Sequence, residues 1–429
     1  MIGHVLDWSN KEWRRTKEQF EPFMRSLTSV LGRAERRVAA TRYVEGLLVE
    51  GQRKSIEPMA SRLGVDPQSL QQFVADSPWS AEELWSRIRK EVIPSFEPIE
   101  SWIIDETGWL KQGQRSVGVA HQYCGAVGKK ANCQVSVELV VSDGTIGVPA
   151  GARLYLPEVW TKDAQRCREA GVPEEIEFKT KPQIALGLID QAMNEGVLQA
   201  PVLADSVYGD GSEFRKGLRG RGCEYFLQVS PTQHKAWTHE VSTHKKFKRR
   251  YVKEGEEPAR TLLEITQSLP AAEWKPCSWK ARDGSTRYTR LAWVEVNLGH
   301  DLRNPHGELE KSWLVIDWPR AEEIYHCYLA HLKGPPSKAR CLRLSRGRWQ
   351  IEQYFQRAKD DLGLDHYEGR SWRGFHHHLV LSAVAYLFVC AMWLRSKKNF
   401  WPDVGTDSQS DPSVAGEILR LLPLLPATV

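Results

Sequence analysis

Between Ser101 and Gly144 three runs, SWIIDETG, SVGVAHQYCGAV and CQVSVELVVSDG, follow one another with only short links such as Gly128–Lys129–Lys130. Runs of this length, apolar or alternating and bounded by turn residues, predict β-strands. Strands in succession with short links predict an antiparallel meander. KPQIALGLIDQAMNEG (Lys181 to Gly196) then has helical periodicity with Gly196 as its stop, and PVLADSVYGDG and CEYFLQVS read as further strands. The order strand, strand, strand, helix, strand constrains the chain to a mixture of α and β.

The flanks have a different texture. From about Trp13 to Val92 apolar residues recur at three- and four-residue spacing, which predicts an all-α block. Inside it, SIEPMASRLGVDPQSLQQF reads as helix, turn at Gly64 and Val65, then a second helix with Asp66 as N-cap and Pro67 at its first position. This is the outline of a helix-turn-helix. Gln68, Ser69, Gln71 and Gln72 would then face a DNA major groove, although two helices packed without DNA have the same outline. After the Pro-bearing stretch Ile93 to Ile99 come the strands described above. From Pro231 to Pro336 the chain is β-rich, with ARTLLEIT, TRYTRLAWVEV and KSWLVIDW as strands. Lys245, Lys246, Lys248, Arg249 and Arg250, with Arg282, Arg287 and Arg290, are interleaved with aromatics there. That combination suits phosphate neutralisation and base stacking, and equally a solvated charged face. Past Lys338 the pattern is helical again.

A hydrophobic share of 41% and a charged share of 26% exclude wholesale disorder, and 429 residues call for more than one core. The net charge of +5 permits a nucleic-acid partner without requiring one. The 8 cysteines include no CxxC pair, so a zinc ribbon or dithiol redox site has no supporting spacing and most read as reduced core thiols. The N-terminus lacks the layout of a secretory signal, and Leu379 to Leu394 falls short of the roughly 18 to 20 residues that cross a bilayer. The expectation is an intracellular protein with no membrane partner and a buried helix near its C-terminus.

The chemistry concentrates in RGRWQIEQYFQRAKDDL, Arg346 to Leu362. At about 100° per residue, Ile351, Tyr354, Phe355, Ala358 and Leu362 form one buried stripe, with Arg348, Glu352 and Lys359 within about 40° of one another along its edge. A salt-bridge ladder would explain Arg348 and Glu352 alone. Two more acids sit at the ends of apolar runs: Asp105 after Trp102–Ile103–Ile104, and Asp205 after Val202–Leu203–Ala204. Three carboxylates supply the hard oxygen donors that Mg²⁺ prefers, and two such ions serve in-line phosphodiester displacement. Asp210 in YGDG reads as a turn residue, and Glu106 should face away from Asp105 if the strand continues. His376, His377 and His378 diverge around a helix and cannot share a ligand face, which leaves solvent or backbone-capping roles; Asp360 and Asp361 read as surface charges.

IDETGW around Asp105, LADSVYGD around Asp205 and RGRWQIEQYFQRAKDDLGLDHYEGR around Glu352 resemble the three catalytic motifs of DDE transposases from bacterial insertion sequences, most closely the branch numbered seven-hundred-and-one. GLLVEGQRKSIEPMASRLG is similar to that branch too, and the likeness runs to about Arg395. The third motif of the wider group is Tyr, two residues, Arg, three residues, Glu, six residues, Lys. Arg348, Glu352 and Lys359 match it, while Ser345 stands in the Tyr position.

The resemblance implies an α+β multidomain protein whose ribonuclease-H-like mixed α/β catalytic core is interrupted by a β-rich insertion. With the textures above it implies a helical DNA-binding domain at 1–95, core at 96–230, insertion at 231–340, core with the Glu352 helix at 341–396 and a tail at 397–429. It implies Asp105, Asp205 and Glu352 as ligands of two Mg²⁺ ions, with Mn²⁺ able to substitute, and Arg348 and Lys359 on backbone phosphates. In the insertion a Trp, for which Trp313 and Trp318 are candidates, would support a flipped base. The implied partner is double-stranded DNA, both terminal inverted repeats and target, bound by a homodimer in a synaptic complex within the bacterial cytoplasm at the nucleoid. A domesticated DNA-binding descendant and a nuclease without strand transfer are the rival readings.

Overall fold

The structure, a computed structural model, describes residues 10–96, 98–246, 249–280, 285–299, 309–319 and 325–399. It divides into two compact units: Met1–Ile99, Asp105–Leu198 and Gln350–Val429 form the first, Glu100–Ile104 and Gln199–Trp349 the second. Strand β1 (Ser101–Leu110) contributes residues to both. Of the tail expected at 397–429, residues from 400 onward lie outside the described set.

The first unit opens with α1 (Asn10–Thr28), α2 (Ala34–Leu48), α3 (Ile56–Leu63), α4 (Pro67–Ala75) and α5 (Ala81–Arg87). Gly64 ends α3 at φ 65°, a left-handed conformation that glycine adopts without steric cost. The Asp66 carboxylate then accepts from the amides of Gln68 and Ser69 at 3.1 and 3.2 Å and starts α4, with Pro67 in the first turn. Helix, glycine turn and capped helix therefore stand where the sequence places them. Just past α5, the fully buried Arg89 donates to Glu195 at 2.7 Å and to the Ala150 carbonyl at 3.0 Å, fixing these helices to the αβ part of the unit.

That part contains β2 (Ala120–Cys124), β3 (Lys129–Ser142) and β4 (Gly147–Leu154), followed by α6 (Glu158–Thr161), α7 (Ala164–Glu169) and α8 (Lys181–Asn194). β3 lies beside β1 and pairs antiparallel with both β2 and β4. Two expectations change. The strand that was to end at Asp105 continues to Leu110, and β4 was not foreseen, since Gly and Pro within GVPAGARL obscure its strand pattern.

The second unit holds β5 (Val202–Ala204), α9 (Ser206–Gly209), α10 (Ser212–Gly220), β6 (Tyr225–Val229), β7 (Lys235–Trp237), β8 (Thr243–Lys246), β9 (Arg249–Val252) and β10 (Arg260–Thr261). After these come α11 (Leu262–Gln267), β11 (Lys275–Lys280), β12 (Thr286–Leu298), β13 (Glu310–Pro319), β14 (His326–His331) and α12 (Lys338–Gly347). Trp102 and Ile103 of β1 pair in parallel with Val202 and Leu203 of β5, and β5 runs parallel to β6. From β6 the sheet turns antiparallel through β14, β13 and β12. ARTLLEIT, expected as a strand, is extended only at Arg260–Thr261 and then helical, because Thr261 and Glu264 form a capping box that starts α11, and Leu262 and Ile265 of that helix pack with Ala292, Leu314, Ile316 and Leu329.

The chain returns to the first unit with α13 (Trp349–Asp360) and α14 (Trp372–Asn399). The apolar stretch Trp372–Trp393 is long enough to cross a membrane, yet 89% of its 18-residue apolar window is buried against protein, and α14 packs on α2, α4, α5 and β4. It is a core helix. The three histidines diverge as the wheel predicts. His376 reaches the Leu154 amide at 3.3 Å, His377 the carbonyls of Val74 and Trp79 at 2.9 and 2.8 Å, and His378 the Tyr43 hydroxyl at 2.9 Å. Backbone contact is therefore part of their role; solvent is not, because His377 and His378 are buried.

Candidate active site

Asp105 is half-buried in β1, and its Oδ1 accepts from the Glu106 amide at 2.8 Å. Glu106 is occupied separately, by an ion pair with Lys181 at the start of α8. Of the expected stripe, Ile351, Tyr354, Ala358 and Leu362 are buried and Phe355 is half-buried, while Glu352 on α13 is exposed. Asp105 and Glu352 both belong to the first unit.

Polar contacts fix α13 within that unit. Lys359 donates to the Gly108 carbonyl of β1 at 2.9 Å, and its pKa is lowered because the ammonium is largely desolvated. The Gln350 amide donates to the Gly144 carbonyl at 3.0 Å. Tyr354 lies against Glu138, a fully buried carboxyl in β3. Glu138 accepts from Ser136 Oγ at 2.9 Å, and Ser136 accepts from the Trp109 indole of β1 at 3.1 Å. Burial pushes Glu138 up to about 7, against the opposing effects of Ser136, Tyr354 and Lys359. Sequence reading passed over both Glu138 and the Gly108 contact.

In the second unit, Asp205 follows β5 as expected and N-caps α9, its Oδ1 accepting from the Val207 amide at 3.0 Å. Asp210 closes that turn instead of standing open. Burial acts against its charge, but its carboxylate accepts from the Ser230 amide at 2.8 Å and meets His234 Nε2 at 2.8 Å, and these hold its pKa below the usual range. Gly209 between them has no alternative, since a Cβ there would lie 2.0 Å from the Gln228 carbonyl oxygen. Contrary to the single helix expected from Arg346 to Leu362, Arg348 does not share a helix with Glu352 and Lys359: it caps the C-terminus of α12, half-buried, and α13 begins at Trp349. Two residues earlier, Arg346 pairs with the buried Asp317 at 2.9 Å and lies 4.2 Å from the Trp279 ring. Thr289 also donates to Asp317. Ser345, where the motif has Tyr, returns its hydroxyl to the Leu342 carbonyl at 3.1 Å.

The other expected DNA contacts are distributed over both units. Gln68, Gln71 and Gln72 are exposed on α4 and line a cleft of about 850 Å³ that also carries Lys54, Asp76 and Glu368. Lys245 pairs in register with Arg250 and Lys246 with Arg249 across the β8–β9 hairpin. Their side chains, and Lys248 entirely, lie outside the described residues. Trp318 packs against Trp274 and Tyr325 at 5.5 and 5.1 Å, and Trp313 is half-buried. All 8 cysteines are free thiols. Among the described residues no group of three or more His, Cys, Asp or Glu side chains is gathered to hold a metal ion.

Residues 23–287 match the DDE superfamily endonuclease family, a stretch that includes Asp105 and Asp205 and ends before Glu352. The chain belongs to the DDE superfamily of endonucleases. It is also 32% identical, over 202 residues, to a probable transposase for insertion sequence element IS701 from Microchaete diplosiphon. That alignment covers 44% of this chain and 50% of the other, so the chain spans about half the length of the curated relative it matches.

Proposed function

We propose that this protein is the DNA transposase of an insertion sequence, cleaving transposon ends and joining them to target DNA, with Asp105, Asp205 and Glu352 as its catalytic carboxylates. The observation that carries the reading is the family match across residues 23–287, which includes two of the three acids. The likeness to a probable IS701 transposase and the Arg348, Glu352, Lys359 spacing support it. The antiparallel β3 and β4 beside β1 and the parallel β1, β5 and β6 are compatible with a ribonuclease-H-like core into which the β7 to β14 region is inserted.

The donor set fits divalent metal: three carboxylates, with no thiolate or imidazole among them, suit Mg²⁺ or Mn²⁺. Ions held by these residues would supply Lewis-acid activation and charge neutralisation at the scissile phosphate. The residues of the chain do the rest. Arg348 neutralises a backbone phosphate, and Lys359 sets α13 against β1 so that Glu352 and Asp105 keep a fixed relation. The N-terminal helices with Gln68, Gln71 and Gln72 and the basic β8–β9 hairpin grip duplex DNA, and two copies pair the two ends. The place of action is the bacterial cytoplasm, at the nucleoid.

A plasmid excision assay tests this reading, with Asp105→Asn, Asp205→Asn and Glu352→Gln variants and a parallel gel-shift measurement on transposon ends. Excision lost in all three, with end binding retained, is the expected result. Full excision by any one of them would remove that residue from the site. Wild-type end binding without any cleavage would identify a DNA-binding descendant, and cleavage without joining a nuclease.

A further inference from the structure

The first unit contains a cavity of about 650 Å³ that none of the three acids lines. Its walls come from α5, β4, α8, the 171–179 loop and the start of α14, and its size is that of small-ligand sites. Three observations define what it could hold.

The first is Arg153. It is half-buried, burial lowers its pKa against the nearby charge of Glu82, and its guanidinium donates to no acceptor among the described residues. The guanidinium is left to the space of the cavity, and the planar fork of its N–H groups matches two oxygens of a phosphate. The second is the balance of charge along the walls. Lys179 and Arg373 are exposed cations on the rim, Arg373 donating to the Asp76 carbonyl at 2.9 Å, and they face two carboxylates, the exposed Glu175 and Glu82, which is paired with Arg89. His376 and His377 bring no charge near neutral pH, because burial lowers both to about 4.

The third is Gly187, in the middle of α8. Glycine is a poor helix former, and a Cβ at this position would meet nothing within 4 Å. Neighbouring side chains do not require the glycine. Gly187 is exposed and lines the cavity, so its backbone is accessible there.

We propose that this cavity is a phosphate-binding site, separate from the catalytic acids, in which Arg153 pairs with the phosphate oxygens and Gly187 leaves room for the group that bears them. The phosphate can belong to a nucleic-acid strand or to a free anion, and the probes separate these sources.

Calorimetric titration of the full chain with inorganic phosphate, and with a short single-stranded oligonucleotide carrying a 5′-phosphate, is the test. Arg153→Met and Gly187→Leu should each weaken binding of the effective probe at least about ten-fold, with Arg153→Lys intermediate. Gly187→Leu puts a side chain on the exposed cavity edge and is a better helix former, so its thermal midpoint should be no lower than that of the wild type. Inorganic phosphate binding that Arg153→Met weakens marks a free-anion site; oligonucleotide binding that Arg153→Met weakens, without phosphate binding, marks a strand phosphate, because binding at the other DNA contacts would not respond to that substitution. Undiminished binding by both Arg153→Met and Gly187→Leu, or no binding of either probe to the wild type, overturns the proposal. The excision result for Asp105→Asn stays independent of this outcome, so the catalytic reading and the cavity reading can fail separately.

Discussion

Lys359 on α13 donates its ammonium to the carbonyl of Gly108 on β1 at 2.9 Å, three residues beyond Asp105 and seven beyond Glu352. The lysine that the family motif assigns to phosphate is thus also a brace between the strand of one candidate metal ligand and the helix of another. Lys359→Met should lower the unfolding free energy by about 1–3 kcal/mol, because a buried carbonyl loses its donor. Urea denaturation reads this directly. If the ammonium meets phosphate as well, the slope of log affinity for DNA against log salt should become shallower by about one unit. An unaltered slope would restrict Lys359 to bracing.

Glu138 gives the protein a pH dependence of known sign. Its folded-state pKa of about 7 is raised from an ordinary value of 4.5. The folded chain therefore holds a proton that the unfolded chain gives up first. This stabilising contribution is complete below about pH 4, declines as pH rises through 7 and is absent above it. Its size is of order 3 kcal/mol. Glu138→Gln should abolish the decline, so thermal midpoints of wild type and variant should diverge between pH 5 and pH 8, with the variant higher at pH 8. Parallel curves would refute the buried-acid account.

Asp205 has two roles to separate, cap and candidate metal ligand. Asparagine caps helices about as well as aspartate, while alanine costs about 0.5–2 kcal/mol at such positions. Asp205→Asn should therefore keep the wild-type thermal midpoint and lose Mn²⁺ binding measured by calorimetry, whereas Asp205→Ala loses both. Retained Mn²⁺ affinity in the Asn variant would limit Asp205 to capping α9.

Arg346→Ala leaves the fully buried Asp317 carboxylate without its cation. Unpaired buried charges cost about 3–5 kcal/mol, so hydrogen exchange along β12 and β13 should accelerate sharply. Arg346→Lys should recover only part of the loss, since an ammonium cannot reproduce the planar stacking on Trp279. Exchange unchanged in the alanine variant would mean that water screens Asp317.

Local chemistry explains which features could be foreseen. Asp66, Pro67 and the stripe of Ile351, Tyr354 and Ala358 are fixed by neighbours within one or two helical turns, and they stand as read. Glu138 was missed because its place in the alternating run CQVSVELVV suggests a solvent face, whereas both faces of β3 are covered from Cys133 to Ser142. The partner of Lys359 is a backbone carbonyl 251 residues away, which no side-chain pattern can announce. Asp105, Asp205 and Glu352 stood out through motif resemblance, since an acid after an apolar run can equally be a turn, as Asp210 shows.

Three consecutive rings on α14 each reach a different element: His376 the Leu154 amide, His377 the Val74 and Trp79 carbonyls, His378 the Tyr43 hydroxyl. Shifting the helix by a single residue would turn every ring about 100° away from its partner. Those contacts work as a combination lock on register. Point substitutions nearby remove one tumbler at a time, but an insertion or deletion of one residue upstream in α14 would release all of them together and leave the N-terminal helices without their shared reference.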